Sequence, residues 1–317
     1  MTDTGVLQAE LAAPAPLEPH HRPAQSFLAE SLERLRANRV GMAAGFMILF
    51  FALVAVTAPW LANSLTHFDP NRQTLRDVFQ GPSGRHWVGT DELGRDLFTR
   101  LIYGAQVSYG VAFLTIAIST TIGSSIGILA GFYGGVLDRL LMRFVDMLLS
   151  VPTLYLLILF SVLQPVVPFT SFHLKTSQPA TLAVIIAILG WGGLARLVRG
   201  QVLGVKHRDF ILATRSLGAS DVRLMTKHIL PNVTPIIIIA ASLGVGGIIL
   251  AEAALDFIGL GILPPTASWG NMLSNAQSYL YHGLWLVLAP GVLIFVAVLS
   301  FNLFGNAVRD AFDPRLK

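Results

Sequence analysis

Long apolar segments alternate with short polar segments over most of this chain. An α-helix rises about 1.5 Å per residue, so a helix that crosses about 30 Å of hydrocarbon needs roughly 20 residues. Six apolar segments approach or exceed that length, at residues 41–61, 106–132, 141–163, 181–198, 235–260 and 284–304. The pattern therefore predicts an all-α, polytopic membrane protein with six transmembrane helices.

The segments outside these spans divide the rest of the chain. Residues 1–25 are rich in Ala and Pro without an apolar run, and they predict a disordered tail. Residues 26–40 carry apolar positions at helical spacing, which predicts either an amphipathic helix on the inner membrane surface or an ordinary solvated helix. In chain order, the expected domains are a tail with an interfacial helix (1–40), the first span (41–61), an external loop (62–105), a core of five spans with a polar loop at 206–232 (106–308), and a second tail (309–317).

Composition places the chain in a bilayer. Hydrophobic residues make up 53% and charged residues 13%, with a mean hydropathy of +0.64, whereas soluble domains carry about 25% charged residues. Sixteen of the 22 Lys and Arg residues fall on one predicted side, which indicates that both termini and the polar loop face the cytoplasm. This topology accounts for the net charge of +4, so no nucleic-acid partner is expected.

The sequence offers little chemistry of its own. It has no cysteine, which excludes disulfides and thiolate metal sites. It contains no G-x-x-x-x-G-K-[ST] phosphate loop, and its eight histidines lack metal-ligand spacing. We therefore expect no catalytic residue, metal or cofactor in this chain.

A polar, basic island at residues 211–233 separates the fourth and fifth spans. Its pattern predicts a short helix at 209–217, a break at 218–221 and a second helix that stops at Pro231. Gly218 permits a turn that a Cβ would resist, Ser220 or Asp221 can cap the second helix, and proline cannot continue one. The island is thus predicted to be a helix–turn–helix on the membrane surface.

The spacing of Ala213, Gly218, Leu230 and Pro231 resembles the cytoplasmic loop of the permease subunits of bacterial ABC importers. The string SLGASDVRLMTKHILPN is similar to the dipeptide/oligopeptide/nickel family, in particular its second ("C") permease subunit. Leu212 stands where the motif has Glu. The resemblance implies a type I ABC importer permease fold. It also implies an ATPase-coupling loop, whose candidate residues are Ala213, Thr214, Leu217, Gly218, Ala219, Ser220, Asp221, His228, Leu230 and Pro231.

Two external segments resemble the same family: GTDELGRD at residues 89–96 and GLGILPPTASWGNML at residues 259–273. Thr90 or Asp91 can cap the helix that follows, and tryptophan suits a headgroup-level anchor. Charges in the first segment either face a partner or pair internally, and the second is either a gating element or a plain interfacial loop. The candidate contacts with a binding protein or an external gate are Asp91, Arg95, Asp96, Pro265 and Trp269.

Acidic residues are scarce inside the spans. Arg143 and Asp146 are spaced to pair on one helix face. Glu252 and Asp256 lie four residues apart in the fifth span, where a carboxylate must avoid lipid. They are expected either to line the transport pathway or to make buried hydrogen bonds.

The resemblance also implies partners and a location. The partners are a homologous permease subunit forming a heterodimer, two cytoplasmic ABC ATPase subunits that carry ATP and Mg, an extracytoplasmic substrate-binding protein, and the lipid bilayer of the prokaryotic cytoplasmic (inner) membrane. The implied function is ATP-driven import of di- or oligopeptides by alternating access. The alternatives are a nickel or metal-chelate importer permease and, from another class, an ATPase-independent secondary transporter or channel.

Overall fold

The structure of the chain is a computed structural model that describes residues 27–163, 177–274 and 276–312. The predicted tail at residues 1–25 and the last five residues, 313–317, lie outside the described residues. The α-helices in chain order are α1 Phe27–Ala37, α2 Arg39–Val56, α3 Ala58–Leu61, α4 Leu97–Tyr133, α5 Gly135–Ser150, α6 Thr153–Leu163, α7 Pro179–Gly190, α8 Gly192–Val205, α9 Asp209–Ser216, α10 Asp221–Arg223, α11 Leu230–Phe257, α12 Ala276–Tyr279 and α13 Trp285–Phe312.

Six membrane spans can be assigned by length and composition. Four helices qualify singly: α2, α4, the continuous helix Asp221–Phe257 and α13. Two bent pairs, α5 with α6 and α7 with α8, bring the number to six when each pair counts as one span. This agrees with the all-α, six-span architecture predicted from the sequence, although two of the spans are not straight helices.

The third span differs most from its prediction. Residues 141–163 were expected to form one helix, but α5 and α6 meet at an angle of 81°. Pro152 follows α5, and proline disfavours the helical conformation of the residue before it. Val151 is accordingly extended, with φ −103° and ψ 127°, and the chain turns sharply there.

The fourth span is interrupted as well. The helix breaks at Trp191, between Gly190 and Gly192, and α7 and α8 are inclined by 44°. The span also ends later than predicted, because α8 continues past Val198 to Val205.

Several helix ends differ from the sequence expectation for local reasons. The second span begins at Leu97, because the Asp96 side chain, rather than Thr90 or Asp91, accepts the Thr99 amide and caps α4. The external loop therefore ends nine residues before position 105. The first amphipathic helix ends at Ala37, since Asn38 caps α2 through the Gly41 amide. At the other end of the chain, α13 extends past position 308.

The second helix of the polar island does not stop at Pro231. It runs without a break from Asp221 to Phe257 and forms the fifth span. Residues Leu224–Ile229 are wound as a π-helix, in which the Leu230 amide donates to the Met225 carbonyl. Pro231 then occupies the first turn of α11, where the missing N–H is tolerated.

Three glycines at four-residue intervals set the packing of α4 on α8. A Cβ on Gly123 would lie 2.8 Å from the Trp191 carbonyl oxygen, and one on Gly127 would lie 2.5 Å from the Ala195 carbonyl oxygen. A Cβ on Gly131 would lie 2.8 Å from Val202 Cβ. These glycines therefore allow the two helices to pack closely.

Replacing Gly127 with leucine should therefore destabilise the subunit by about 1–3 kcal/mol, since added atoms must push the α8 backbone away. The measurement is the midpoint of thermal unfolding in detergent. Gly110→Leu is the matched control, because Gly110 is also in α4 and a Cβ there meets nothing within 4 Å. Equal midpoints for the two variants would contradict the packing argument.

Ion pairs join α5 to α8. The pairing predicted between Arg143 and Asp146 is not what the described residues show, because Asp146 contacts Arg196 Nη2 at 2.5 Å. Asp138 and Arg199 form a second, two-bonded pair between the same helices, with Nη2 to Oδ2 at 2.7 Å. The bend after α5 brings that helix alongside α8, so a partner on the neighbouring helix replaces the one three residues away.

Candidate functional site

The polar island forms a hairpin of α9 and α10. Gly218 adopts φ +84° in the turn between them, and no atom lies within 4 Å of a Cβ built there. The Ser220 hydroxyl accepts the Arg223 amide at 3.4 Å and caps α10. The predicted turn and cap are both present, since positive φ favours glycine and serine is a preferred cap.

One face of the hairpin is anchored to the membrane helices. Its buried apolar side chains are Ile211, Leu224, Ile229 and Val233, and they join a core with Ile128, Phe132, Val198, Val202 and Val205. Arg215 lies over the Phe132 ring at 5.3 Å and contacts Asp221 across the turn at 3.4 Å. The hairpin is therefore fixed to the ends of α4 and α8.

The opposite face presents apolar side chains to its surroundings. Leu217, beside the turn glycine, is 89% exposed, and Val222 is 64% exposed. Phe210 and Leu212 are also exposed. Sequence reasoning missed the last two and Val222, although large apolar residues in an otherwise polar island were a visible signal. Exposed large apolar side chains grouped on an otherwise polar hairpin are typical of a protein-binding surface.

The ten residues predicted for the coupling loop all lie on this hairpin or on the helix that continues from it. Those that are exposed are Ala213, Leu217, Gly218, Ser220, Asp221, Leu230 and Pro231, and those that are partly buried are Thr214, Ala219 and His228. His228, Leu230 and Pro231 stand further along the continuous helix, away from the turn. The exposed tip is thus built from the residues around Gly218.

The GTDELGRD segment forms a closed network around Asp91. The Asp91 carboxylate accepts the amides of Leu93 and Arg95, both at 3.0 Å, and Arg95 Nε at 2.7 Å. Arg95 also donates to Glu92 at 2.8 Å. Burial, and then the neighbouring Asp91 charge, raise the pKa of Glu92 above its ordinary value. The charges of this segment therefore pair internally.

Asp96 and two glycines complete the network. Asp96 caps α4 and contacts His86 Nδ1 at 2.9 Å. Gly89 and Gly94 adopt φ of +88° and +67°. A Cβ on Gly89 would collide with the Gln80 backbone carbonyl, and a Cβ on Gly94 would collide with the Thr74 backbone carbonyl, both earlier in the same loop. Because Asp91, Arg95 and Asp96 are at most 5% exposed, they position this loop and are not on its surface.

Trp269 occupies the core and is not a headgroup-level anchor. It is fully buried, its Nε1 donates to the Leu101 carbonyl at 2.9 Å, and its ring packs on Phe51 and Tyr109. Gly104 makes room for the ring, because a Cβ there would lie 2.7 Å from Trp269 Cδ1. Pro265 in the same loop is exposed. The loop thus folds back between α4 and α11.

Glu252 and Asp256 hold that loop in place. Both are buried inside the subunit. Asp256 accepts the Ile262 amide at 2.5 Å and also the Ser268 hydroxyl, and the Ser108 hydroxyl donates to Glu252 at 3.2 Å. These contacts match the buried-hydrogen-bond alternative, and the pathway role of the pair stays a prediction.

Replacing Asp256 with leucine should release the loop, because the Ile262 amide and the Ser268 hydroxyl lose their acceptor. Each unsatisfied buried donor costs about 1–3 kcal/mol, so the unfolding midpoint in detergent should fall clearly. Asp256→Asn, which retains one carbonyl acceptor, should fall less. If leucine leaves the midpoint unchanged, the carboxyl does not anchor the loop.

Two family descriptions cover most of the chain. Residues 123–317 match "Binding-protein-dependent transport system inner membrane component", and residues 26–82 match "N-terminal TM domain of oligopeptide transport permease C". The dipeptide transport system permease protein DppC of Alkalihalophilus pseudofirmus is 37% identical over 91% of this chain and 90% of its own length. The Bacillus subtilis DppC is 38% identical, covering 93% and 88%, and its oligopeptide permease OppC is 35% identical, covering 91% and 90%.

A solved structure supports the fold. An inward-facing crystal form of the MetNI methionine ABC transporter aligns with 67% of this chain and 96% of its own with a TM-score of 0.52 and 19% identity. The helical fold and the sequence relatives together define a membrane permease of the ABC importer class. More specifically, the chain belongs to the family of binding-protein-dependent transport system inner membrane components. It is a transport component of the inner membrane and not an enzyme.

Proposed function

We propose that this chain is the C-type permease subunit of an ATP-driven peptide importer, and that its α9–α10 hairpin couples two cytoplasmic ATPase subunits to the membrane helices. The observation that carries the proposal is the hairpin itself. Its inner face is buried against α4 and α8, while its outer face exposes Leu217 and Val222.

This arrangement suits the transmission of force. A docked subunit that moves the hairpin also moves the ends of α4 and α8, since Ile211 and Leu224 are buried among their side chains. The hairpin continues directly into the fifth span through the helix Asp221–Phe257. Two sites and two states, inward-open and outward-open, are the requirement for allosteric coupling.

Family membership supports the remaining partners. The family description names a binding-protein-dependent system, which supports an extracytoplasmic binding protein as a partner. A homologous permease subunit completes the proposed heterodimer. Both termini then lie in the cytoplasm, on the side of the hairpin. ATP and Mg are held by the ATPase subunits, and this chain supplies no ligand for them.

The substrate assigned is a di- or oligopeptide. Three of the relatives above are named as dipeptide or oligopeptide permeases, which favours peptides over the nickel alternative. Within the described residues no group of three or more His, Asp or Glu side chains is placed to hold a metal ion. An ATPase-independent transporter would have no use for the exposed apolar hairpin.

Reconstitution of the five-subunit complex in proteoliposomes tests the proposal. The chain, its partner permease, the two ATPases and the binding protein are assembled, and uptake of labelled dipeptides, oligopeptides and a nickel chelate is measured. Peptide uptake that requires ATP and the binding protein is the expected result. Uptake without the ATPases would support the secondary-transporter alternative, and uptake of the nickel chelate alone would move the substrate to that class.

A further inference from the structure

A half-enclosed cleft of about 270 Å³ lies among α4, the α7–α8 break and α11. Its lining residues are small, apolar or hydroxyl-bearing: Thr115, Ile116, Ser119, Thr120, Ile186, Gly190, Gly193, Leu194, Leu197, Ala240, Ala241, Gly244 and Ile248. No ionisable side chain is among them. The cleft therefore differs from the GTDELGRD segment, whose charged side chains pair in a closed network.

The cleft lies near the middle of the helices that line it. Thr115 is the central residue of α4, Leu97–Tyr133, Gly190 is next to the break in the fourth span, and Gly244 lies well inside the continuous helix Asp221–Phe257. The break between α7 and α8 falls at this depth as well. Broken helices at the bilayer midplane are a recurring feature of solute sites in transporters.

Two hydroxyls in the cleft lack strong partners. The Thr120 hydroxyl is buried and has no hydrogen-bond partner among the described residues. Ser119, which is 7% exposed, has only a 3.4 Å contact with the Ile116 carbonyl of its own helix. Thr115, by contrast, donates to the Ala183 carbonyl at 3.0 Å. Buried polar groups are nearly always hydrogen-bonded in folded proteins, so the two weakly bonded hydroxyls indicate a ligand that approaches them.

The other walls permit that approach. A Cβ added to Gly190 or Gly193 would meet no atom within 4 Å, so these glycines are not required by packing inside the subunit. Their effect is to leave space in the cleft. A chain segment without bulky side chains, such as a peptide backbone, could lie against them.

We infer that this cleft is the part of the transport pathway that this chain contributes, and that it takes the uncharged main chain of the transported peptide. The inference rests on the proposed function. Peptide N–H and C=O groups complement the Ser119 and Thr120 hydroxyls, and the uncharged lining offers no ion-pair partner to a peptide side chain. At about 270 Å³ the cleft is slightly smaller than typical ligand sites of roughly 300–1,000 Å³, so a partner permease must complete it.

The first test fills the cleft. Gly193→Leu should lower the peptide transported per ATP hydrolysed about tenfold or more, because passage depends on the free diameter. Assembly and ATP hydrolysis should persist. Gly110→Leu is the matched control, since Gly110 is a helical glycine with equally open surroundings and is not among the cleft residues. In the same assay Thr120→Val should reduce transport, whereas Thr120→Ser should restore it.

The second test acts after assembly, so a failure to assemble cannot hide the result. Gly193→Cys is the single thiol when the partner subunits are made cysteine-free, because this chain has none. A small methanethiosulfonate should leave transport largely intact and a bulky one should block it, and labelling should slow while peptide is being transported.

Gly193→Cys complexes labelled with the bulky reagent that still transport at the unlabelled rate would overturn the inference. So would a labelling rate that transported peptide does not slow, which is the result expected of a lipid-filled cleft. Absence of labelling in every state would overturn it too. The wild-type complex separates the two proposals: if it imports peptides while these variants behave like it, the pathway assignment alone is wrong.

Discussion

Leu217→Asp is expected to prevent the ATPase subunits from binding while leaving this chain folded. Leu217 is 89% exposed at the tip of the hairpin, so its replacement removes almost no contact within the subunit. In the complex we propose, that side chain is buried against an ATPase. Loss of a central apolar contact costs about 2 kcal/mol or more, and a buried carboxylate costs more still, so affinity should fall roughly 30-fold or more.

The measurement is co-purification of both ATPases with the tagged chain, followed by ATP hydrolysis of the purified complex. Leu75→Asp is the matched control, because Leu75 is 78% exposed but lies in the outer loop. Its complex should retain both ATPases. If the Leu217→Asp complex keeps them as well and imports peptide at the wild-type rate, the hairpin is not the coupling element.

The position of the spans and of the hairpin could be predicted from the sequence because both are local patterns. An apolar run of about 20 residues has few outcomes other than a span, and a Gly–Ala–Ser–Asp break between helical segments specifies a turn. Gly218 with φ +84° and the Ser220 cap are accordingly where the pattern placed them.

The sequence predictions were wrong where contacts with distant residues, or a choice between several suitable neighbouring residues, determine the local structure. Thr90, Asp91 and Asp96 are all acceptable caps, and Asp96 is the one whose carboxylate also reaches His86. Pro231 looks like a helix end, but the π-helical turn before it removes the need for its amide. Trp269 looks like an interfacial anchor until Gly104 and the Leu101 carbonyl supply a buried site for its ring.

The candidate sites also differ in how much of their structure a local sequence pattern indicates. The residues proposed for the coupling loop belong to a recognisable sequence motif, and most of them are exposed on the hairpin. Asp96 of GTDELGRD and the acid pair of the fifth span, by contrast, carry no local sign of partners such as His86 and Ser268. Asp256, for example, bonds the Ile262 amide and Ser268 only because the following loop folds back onto α11. Conspicuous charge in these segments therefore indicates internal structure.

Gly94→Val should also abolish transport, but by altering the external loop and not the hairpin. Gly94 has φ +67°, and a Cβ would collide with the Thr74 carbonyl. A β-branched residue in this conformation costs at least about 1–2 kcal/mol, and overpacking adds about 1–3 kcal/mol. The backbone cannot shift freely, because the Thr74 amide donates to the Leu93 carbonyl at 3.2 Å and the Asp91 amide to the Arg95 carbonyl at 3.1 Å.

The expected loss is specific. The hairpin is built from other residues, so the Gly94→Val complex should retain both ATPases and their basal hydrolysis. Stimulation by the peptide-loaded binding protein should disappear, since the loop that Asp91 and Asp96 hold in shape is distorted. Gly84→Val is the control: Gly84 is in the same external loop, but no atom lies within 4 Å of its Cβ position. Stimulation of Gly94→Val equal to that of Gly84→Val would show that the ordered GTDELGRD network is not needed for the binding protein to act. Loss of the ATPases in Gly94→Val would instead mean that the loop supports the fold of the whole subunit, because a change in the external loop would then also disrupt the hairpin.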